Sequence, residues 1–324
     1  MIESKSWQPS AALENIKARS ALQQQIRAFF LERDVVEVET PILAASGVTE
    51  PHIANMQVHA ESGQFKGLHK LYLQTSPEYA MKRLLCAGIG DCFQISKVFR
   101  NDEISSRHNV EFSMLEWYRL GFTDVELMAE IELLMREIFP DVASQYLTYQ
   151  DAFIRYAQVD PLAANAQELE ASLMQKGIDC EVVKGDRAAL LDLLMSCVVE
   201  PSLDREQLTF VYHFPAEQAS LAKRCEQDDR TAHRFELFYG GLELANGYWE
   251  LQDPIEQRAR FEKDNTQRGS MGLPEVPIDE RFLAALESGL PACAGVAMGV
   301  DRLLMLKLGA KHIKEVLTFT TDSA

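Results

Sequence analysis

The chain has 324 residues, 47% of them hydrophobic and 25% charged, with a formal net charge of −17. That composition suits a globular protein with a large core, and no apolar run approaches the roughly 18 residues of a membrane span. Non-specific nucleic-acid binding needs Lys and Arg to neutralise phosphates, so an acidic chain is a poor candidate for it.

Met1 to Ser10 lacks an apolar segment after basic residues, so no secretory signal is expected and a cytoplasmic location is the default. Apolar residues at Leu13, Ile16, Leu22, Ile26, Phe29 and Phe30 predict a helix. Asp34 ends it, and Val35 to Pro41 reads as a strand stopped by proline. Ser76-Pro77-Glu78 reads as N-cap, first helical residue and acidic first turn of a helix ending at Gly88. Phe93–Arg100 and Glu111–Arg119 alternate as an antiparallel pair around a polar loop, Asn101–Val110. Thr123 to Glu126 forms a capping box for a helix through Ile138.

Residues 147–205 carry helical leucine and alanine spacing and read as a helical insertion in a single domain spanning 1–324. Strands follow at Phe210–Phe214, Arg234–Tyr239 and Leu242–Glu250, with Gly240-Gly241 as a two-residue hairpin turn. Gly295–Val300 is a strand of small residues leading into a helix from Asp301 to Leu308. This order predicts an α+β fold, an antiparallel sheet flanked by helices. The six cysteines (Cys86, Cys92, Cys180, Cys197, Cys225 and Cys293) form no Cys-x-x-Cys pair and read as reduced thiols. The seven histidines are scattered, without His-Glu-x-x-His, so no structural zinc site is expected.

Three constellations carry chemistry. In the first, Phe112, Met114, Glu116 and Tyr118 share one strand face, and Gln94, Ser96, Val98 and Arg100 share one face of the preceding strand. In the second, Asn246, Tyr248 and Glu250 point one way, with Glu243 opposite unless a bulge near Ala245 or Gly247 re-aims it. In the third, Gly295 to Gly299 permits close approach to the sheet, and Arg302 sits at a helix start, where phosphate is favoured. Each alone also fits an ordinary polar strand or a tight turn.

Together these segments resemble the class II aminoacyl-tRNA synthetases, and the lysyl enzymes most closely. Motif 1 resembles the helix ending in Val36-Glu37-Val38-Glu39-Thr40-Pro41. Motif 2 resembles Phe99-Arg100-Asn101-Asp102-Glu103 through Tyr118, and motif 3 resembles Gly299-Val300-Asp301-Arg302-Leu303. Thr75-Ser76-Pro77-Glu78-Tyr79-Ala80-Met81-Lys82-Arg83-Leu84 is similar to the amino-acid-binding helix, and Arg234-Phe235-Glu236 with Glu243-Leu244-Ala245-Asn246-Gly247-Tyr248-Trp249-Glu250 to the lysine-binding and metal-binding strands. The resemblance implies a class II synthetase-like catalytic domain. It puts the amino acid among Ser76, Pro77, Glu78, Glu116, Tyr118, Asn246, Tyr248, Glu250 and Ala297. ATP falls to Arg100, Asn101, Asp102, His108, Asn109, Phe112, Glu243, Leu244, Gly299 and Arg302, with Phe112 stacked on adenine. Mg²⁺ falls to Glu236 and Glu243, and Arg100 and Arg302 are the catalytic pair. Glutamate is usual two residues after the motif 2 arginine; here Asp102 holds that place and Glu103 follows, so both carboxylates stay candidates.

Two departures point further. Nothing before the first helix can form the anticodon-binding barrel of lysyl-tRNA synthetases. Ala297 stands where those enzymes have glycine, and its methyl should reshape the amino-acid pocket toward a shifted amino group. Both features resemble a subfamily of truncated lysyl-synthetase paralogues, the elongation factor P (R)-β-lysine ligases. The resemblance implies ATP-dependent activation of (R)-β-lysine or lysine as an adenylate, then transfer to the ε-amine of a lysine on elongation factor P. It also implies a homodimer built by motif 1, with no membrane partner and no tRNA. The alternatives are a stand-alone lysyl-tRNA synthetase-like enzyme and an inactive synthetase-like regulatory dimer.

Overall fold

The computed structural model describes residues 7–59, 70–101 and 104–324. They fall into two units: Met1–Gly121, Gln252–Ala292 and Ala297–Ala324 in the first, and Phe122–Leu251 with Cys293–Val296 in the second.

In the first unit the predicted opening helix is α1, Leu13–Leu31, which buries Leu22, Ile26, Phe29 and Phe30 and leaves Leu13 and Leu31 exposed. Asp34 takes the left-handed conformation (φ 56°) and turns the chain into β1. The expected strand from Val35 to Pro41 shrinks to Val36–Glu37, which pairs in parallel with Cys92 and Phe93. Both residues are exposed and Pro41 has no N–H, so neither an apolar face nor a ladder sustains a longer strand. Strands β2 (Leu43–Ala44), β3 (Met56–His59) and β4 (Lys70–Leu73) form a small antiparallel sheet in the order β2-β4-β3.

Helix α2 runs from Glu78 to Cys86, with Pro77 rather than Ser76 in the cap position. Ser76 Oγ still accepts from Glu78 N at 3.0 Å, so serine satisfies an orphan amide from one residue further out. Strands β5 (Cys92–Phe99) and β6 (Glu111–Leu120) are antiparallel, with Gln94 opposite Glu116, Ser96 opposite Met114 and Val98 opposite Phe112. Opposite residues share a face, so the polar surface expected from alternation is present. Asp102 and Glu103, in the loop between these strands, lie outside the described residues.

The second unit opens with α3, Asp124–Ile138, behind the expected Thr123–Glu126 capping box. β7 (Ala143–Thr148) pairs in parallel with β8 (Gln207–Pro215). The run expected to be helical from residue 147 therefore starts two residues late: Leu147 and Thr148 finish β7. Helices α4 (Tyr149–Ala152), α5 (Ala166–Gln175), α6 (Arg187–Leu194) and α7 (Glu200–Ser202) follow, and Phe153, Leu169, Leu190 and Leu194 pack in one apolar cluster with Val211, Phe214 and Phe238. β9 (Thr231–Tyr239) and β10 (Leu242–Trp249) complete the order β10-β9-β8-β7. Gly240 (φ 62°) and Gly241 (φ 77°) form the tight turn between them, which needs two positive φ angles.

The chain then supplies α8 (Pro254–Ser270) and α9 (Glu280–Gly289) to the first unit, where Tyr79 of α2 stacks on Phe282 of α9 at 4.7 Å. β11 (Cys293–Gly299) leads directly into α10 (Val300–Leu308). The fold class is α+β with mainly antiparallel strands, as the sequence indicates.

Candidate active site

The first unit holds a carboxylate cluster at the start of α2 and the middle of β6. Glu116 is buried, and its two oxygens accept from Ser76 Oγ and Tyr118 Oη, each at 2.7 Å. Burial, and then the nearby Glu78, push its carboxyl up to about 8, against the lowering effect of the two hydroxyl donors. Glu78 is partnered: Lys82, one helical turn on and 1% exposed, donates to it at 2.6 Å. Beside Glu116 on the same face, Gln94 is buried, and its side-chain carbonyl has no hydrogen-bond partner among the described residues.

Lys82 neutralises Glu78, whereas Glu116 has only hydroxyl donors and its ionised form lacks a cation of its own. A buried carboxyl of that kind, with the Gln94 carbonyl beside it, suits a cation that brings N–H donors and would stabilise the ionised form. Sequence reasoning passed over Lys82 and Gln94 as site residues. The signals were there: Glu78 and Lys82 have the i, i+4 spacing of a helical ion pair, and Gln94 has the strand parity of Arg100.

A cationic group lies at the other end of β6 and the start of α10. The Arg100 guanidinium is 5.3 Å from the centre of the Phe112 ring, a cation–π pair between the ends of β5 and β6. Arg302, in the first turn of α10, donates to His108 Nε2 at 2.6 Å. Arginine can only donate, so His108 carries its proton on Nδ1, which faces Ser105 Oγ at 2.9 Å. Asn109 is buried and uses its amide on Glu111 O and Thr321 Oγ1, which pins the loop. Asp301 is buried too; it accepts from Ser113 N at 2.6 Å and pairs with Arg19, so it ties α10 to β6 and α1. Gly299, the residue before α10, has open space around a built Cβ apart from Arg302 itself. Two arginines, an aromatic ring and a helix N-terminus are a donor set for a nucleotide's phosphates and base.

The polar face of the second unit centres on Arg234. Its guanidinium donates to Glu236 at 2.7 Å, to Asn246 Oδ1 at 3.3 Å and to Gln218 O at 2.7 Å. Asn246 in turn donates to Tyr248 Oη at 3.1 Å. The register between β9 and β10 shifts between Glu243 and Ala245, with Asn246 opposite Glu236 and Glu243 opposite Phe238. That bulge places the extra residue at Leu244, which is buried, and turns Glu243 to the Asn246 face, as the conditional expectation required. Burial pushes the Glu236 carboxyl up to about 8; Arg234 opposes the shift and Glu243 adds to it. Two carboxylates that repel each other on one face offer hard oxygen donors, which fit a divalent cation such as Mg²⁺. Glu250 is buried just past the end of β10, its amide bonded to Cys293 O at 3.0 Å. Ala297 lies in β11, partly exposed between buried Val296 and Met298. Arg234, unclaimed as a site residue in the sequence, organises this face.

The profile of the tRNA synthetases class II (D, K and N) matches residues 6–323. A protein of Proteus mirabilis (strain HI4320) named elongation factor P–(R)-beta-lysine ligase is 49% identical over 321 residues, covering 98% of each chain. Proteins of the same name from Salmonella typhi and Pasteurella multocida (strain Pm70) are 47% and 48% identical, each over the full length of both chains. With its motif 2 and motif 3 arginines in place and a match from end to end, this chain belongs to the class II tRNA synthetases of the D, K and N group.

Proposed function

We propose that the protein activates (R)-β-lysine with ATP and transfers the aminoacyl group to a lysine ε-amine on elongation factor P. The observation that carries this reading is the buried Glu116 carboxyl, held by Ser76 and Tyr118 beside the Glu78–Lys82 pair. A substrate with two ammonium groups needs such a partner, because an unpaired buried charge costs several kcal/mol. Three relatives over the whole length bear the name of this activity.

In the first step the substrate carboxylate attacks the α-phosphorus of ATP and pyrophosphate leaves. The carboxylate is already ionised, so no protein nucleophile or base is required. Arg100 and Arg302 hold phosphate oxygens while charge shifts onto the leaving group. His108, bonded to Arg302, sets the direction of that guanidinium. Phe112 gives the base a flat partner. Glu236 and Glu243 would hold Mg²⁺, which when bound neutralises phosphate charge. Asn246, Tyr248 and Glu250 remain the second unit's candidates for the amino acid, kept in place by Arg234. In the second step the acceptor amine attacks the acyl carbon, AMP leaves, and an amide forms. The Ala297 methyl favours the shifted amino group of β-lysine over α-lysine. The exposed apolar residues Leu13, Leu31 and Val36 support a homodimer through α1 and β1.

The test is incubation with ATP and (R)-β-lysine in the presence of elongation factor P or total tRNA, followed by mass spectrometry. A β-lysyl adduct on one lysine of the factor is expected. Adduct on tRNA alone supports the tRNA-charging reading and contradicts this one.

A further inference from the structure

His213, Cys225 and His233, on the face of the second unit turned away from Arg234 and Glu236, play no part in the proposed reaction. Side chains alternate along β9, so His233 points opposite to Arg234. His233 is buried, and its Nδ1 lies 3.0 Å from Asp124 Oδ2 at the start of α3. His213 enters from β8, where the pairing slips between Tyr212 and Phe214, and its φ is 59°. A left-handed non-glycine residue is strained and persists where the surroundings hold it. Here the bulge re-aims the imidazole. Cys225 comes from a segment bridged to the start of β9: its amide donates to Thr231 O at 3.0 Å, and His233 N donates to Lys223 O at 2.8 Å. One nitrogen from each histidine and the Cys225 sulfur all lie within 4.8 Å of one another.

We propose that His213, Cys225 and His233 form a site for a borderline-soft divalent metal ion, zinc above all, separate from the ATP chemistry. Two imidazoles and a thiolate are the donors such an ion takes, whereas Mg²⁺ prefers oxygen. Metal–nitrogen and metal–sulfur bonds of about 2.0 and 2.3 Å bring tetrahedral ligands to roughly 3.5 Å apart, so binding needs a contraction of about an ångström. His213, the one partly exposed member, can move that far and gives the ion its entrance. Asp124 stands where an outer carboxylate orients a ligating histidine: it accepts the hydrogen bond from His233 Nδ1–H and leaves Nε2 for the metal. Trp249 packs edge-on against the His233 ring at 4.7 Å and walls the site on one side. The ion ties β8, β9 and the Cys225 segment together next to the head of α3. Sequence spacing gave no hint of this site, because its ligands sit on three separate β segments and match no zinc motif.

Co²⁺ is the probe, added to the full chain after chelator treatment, because its visible spectrum reports both geometry and thiolate ligation. The expected result is one Co²⁺ per chain with tetrahedral bands and a sulfur charge-transfer band, all displaced by Zn²⁺. Cys225→Ser should abolish the sulfur band. Since a change at a buried residue can impair folding, His213→Gln is the second arm; it should weaken Co²⁺ binding at least about tenfold with an unchanged circular dichroism spectrum. Absence of the sulfur band in the wild type, or equal Co²⁺ affinity in the wild type and His213→Gln, overturns the proposal. The readout is spectral, so it stands or falls independently of whether β-lysine is the substrate.

Discussion

Glu116, proposed above as the partner of a substrate ammonium, works against the stability of its own fold as pH rises. Its carboxyl has an ordinary value of 4.5 and is pushed up to about 8 by burial and by Glu78. Between those values the folded chain holds a proton that the unfolded chain has released. The folded state is thus favoured at low pH, and that advantage is lost as pH rises through this window. Glu116→Gln removes the titration. Its melting temperature relative to wild type should climb by several degrees between pH 5 and pH 8, because the wild type loses about 1.4 kcal/mol per pH unit, about 4 kcal/mol across that range. A difference that stays flat across that range, measured by calorimetry, would show that the carboxyl does not titrate there. The neighbouring Lys82 was visible in the sequence only as a helical i, i+4 partner of Glu78; its burial depends on α9, since Phe282 lies beneath it at 5.8 Å. No local pattern reports a contact made across so many residues.

Alternation and capping made most elements legible, and what they missed was set by contacts between elements. The polar face of β5 and β6, the Thr123 capping box and the Gly240-Gly241 turn follow from local chemistry. The shortness of β1 does not: its length depends on which faces find cover, and Val36 finds none. The bulge in β10 was legible as a condition only, because parity alone leaves Glu243 on the wrong face. Gly247 shows why that strand tolerates no change beside the bulge. A Cβ there would lie 2.3 Å from the ring tip of Phe235, which is fully buried and cannot swing aside. Gly247→Ala should therefore cost about 1–3 kcal/mol, read as a lower urea midpoint; an unchanged midpoint would mean that the ring relaxes freely. Asp301 plays a similar positioning part at the start of α10. Asp301→Asn weakens the buried link to Arg19 and Ser113, with a cost of up to about 3–5 kcal/mol. Because α10 carries Arg302, the variant should raise the KM for ATP more than the KM for the amino acid. An equal rise in both would argue for a purely structural role.

At the level of the whole molecule, the net charge of −17 bears on the choice of acceptor. Affinity for polyanions falls steeply with salt and requires clustered cations. Filter binding of total tRNA at 0.15 M salt should therefore show no retention by this chain; tight retention would favour the tRNA-charging alternative. The motifs exposed the family and supplied the residues proposed for the nucleotide, because their order along the chain is local information. The supporting set of Lys82, Gln94, Arg234 and Asp301 emerged only with folding, which brings distant segments together. The proposed reaction turns on a buried carboxyl on β6 that recognises a substrate ammonium during adenylate formation. Amino-acid-dependent ATP–pyrophosphate exchange tests it most directly, run with (R)-β-lysine on the wild type and on folded Glu116→Gln. Exchange in the wild type and a loss of about 100-fold or more in the variant is the predicted result, the scale of breaking a buried charge pair. Equal exchange in the two proteins, or none above the no-amino-acid background in either, would contradict it.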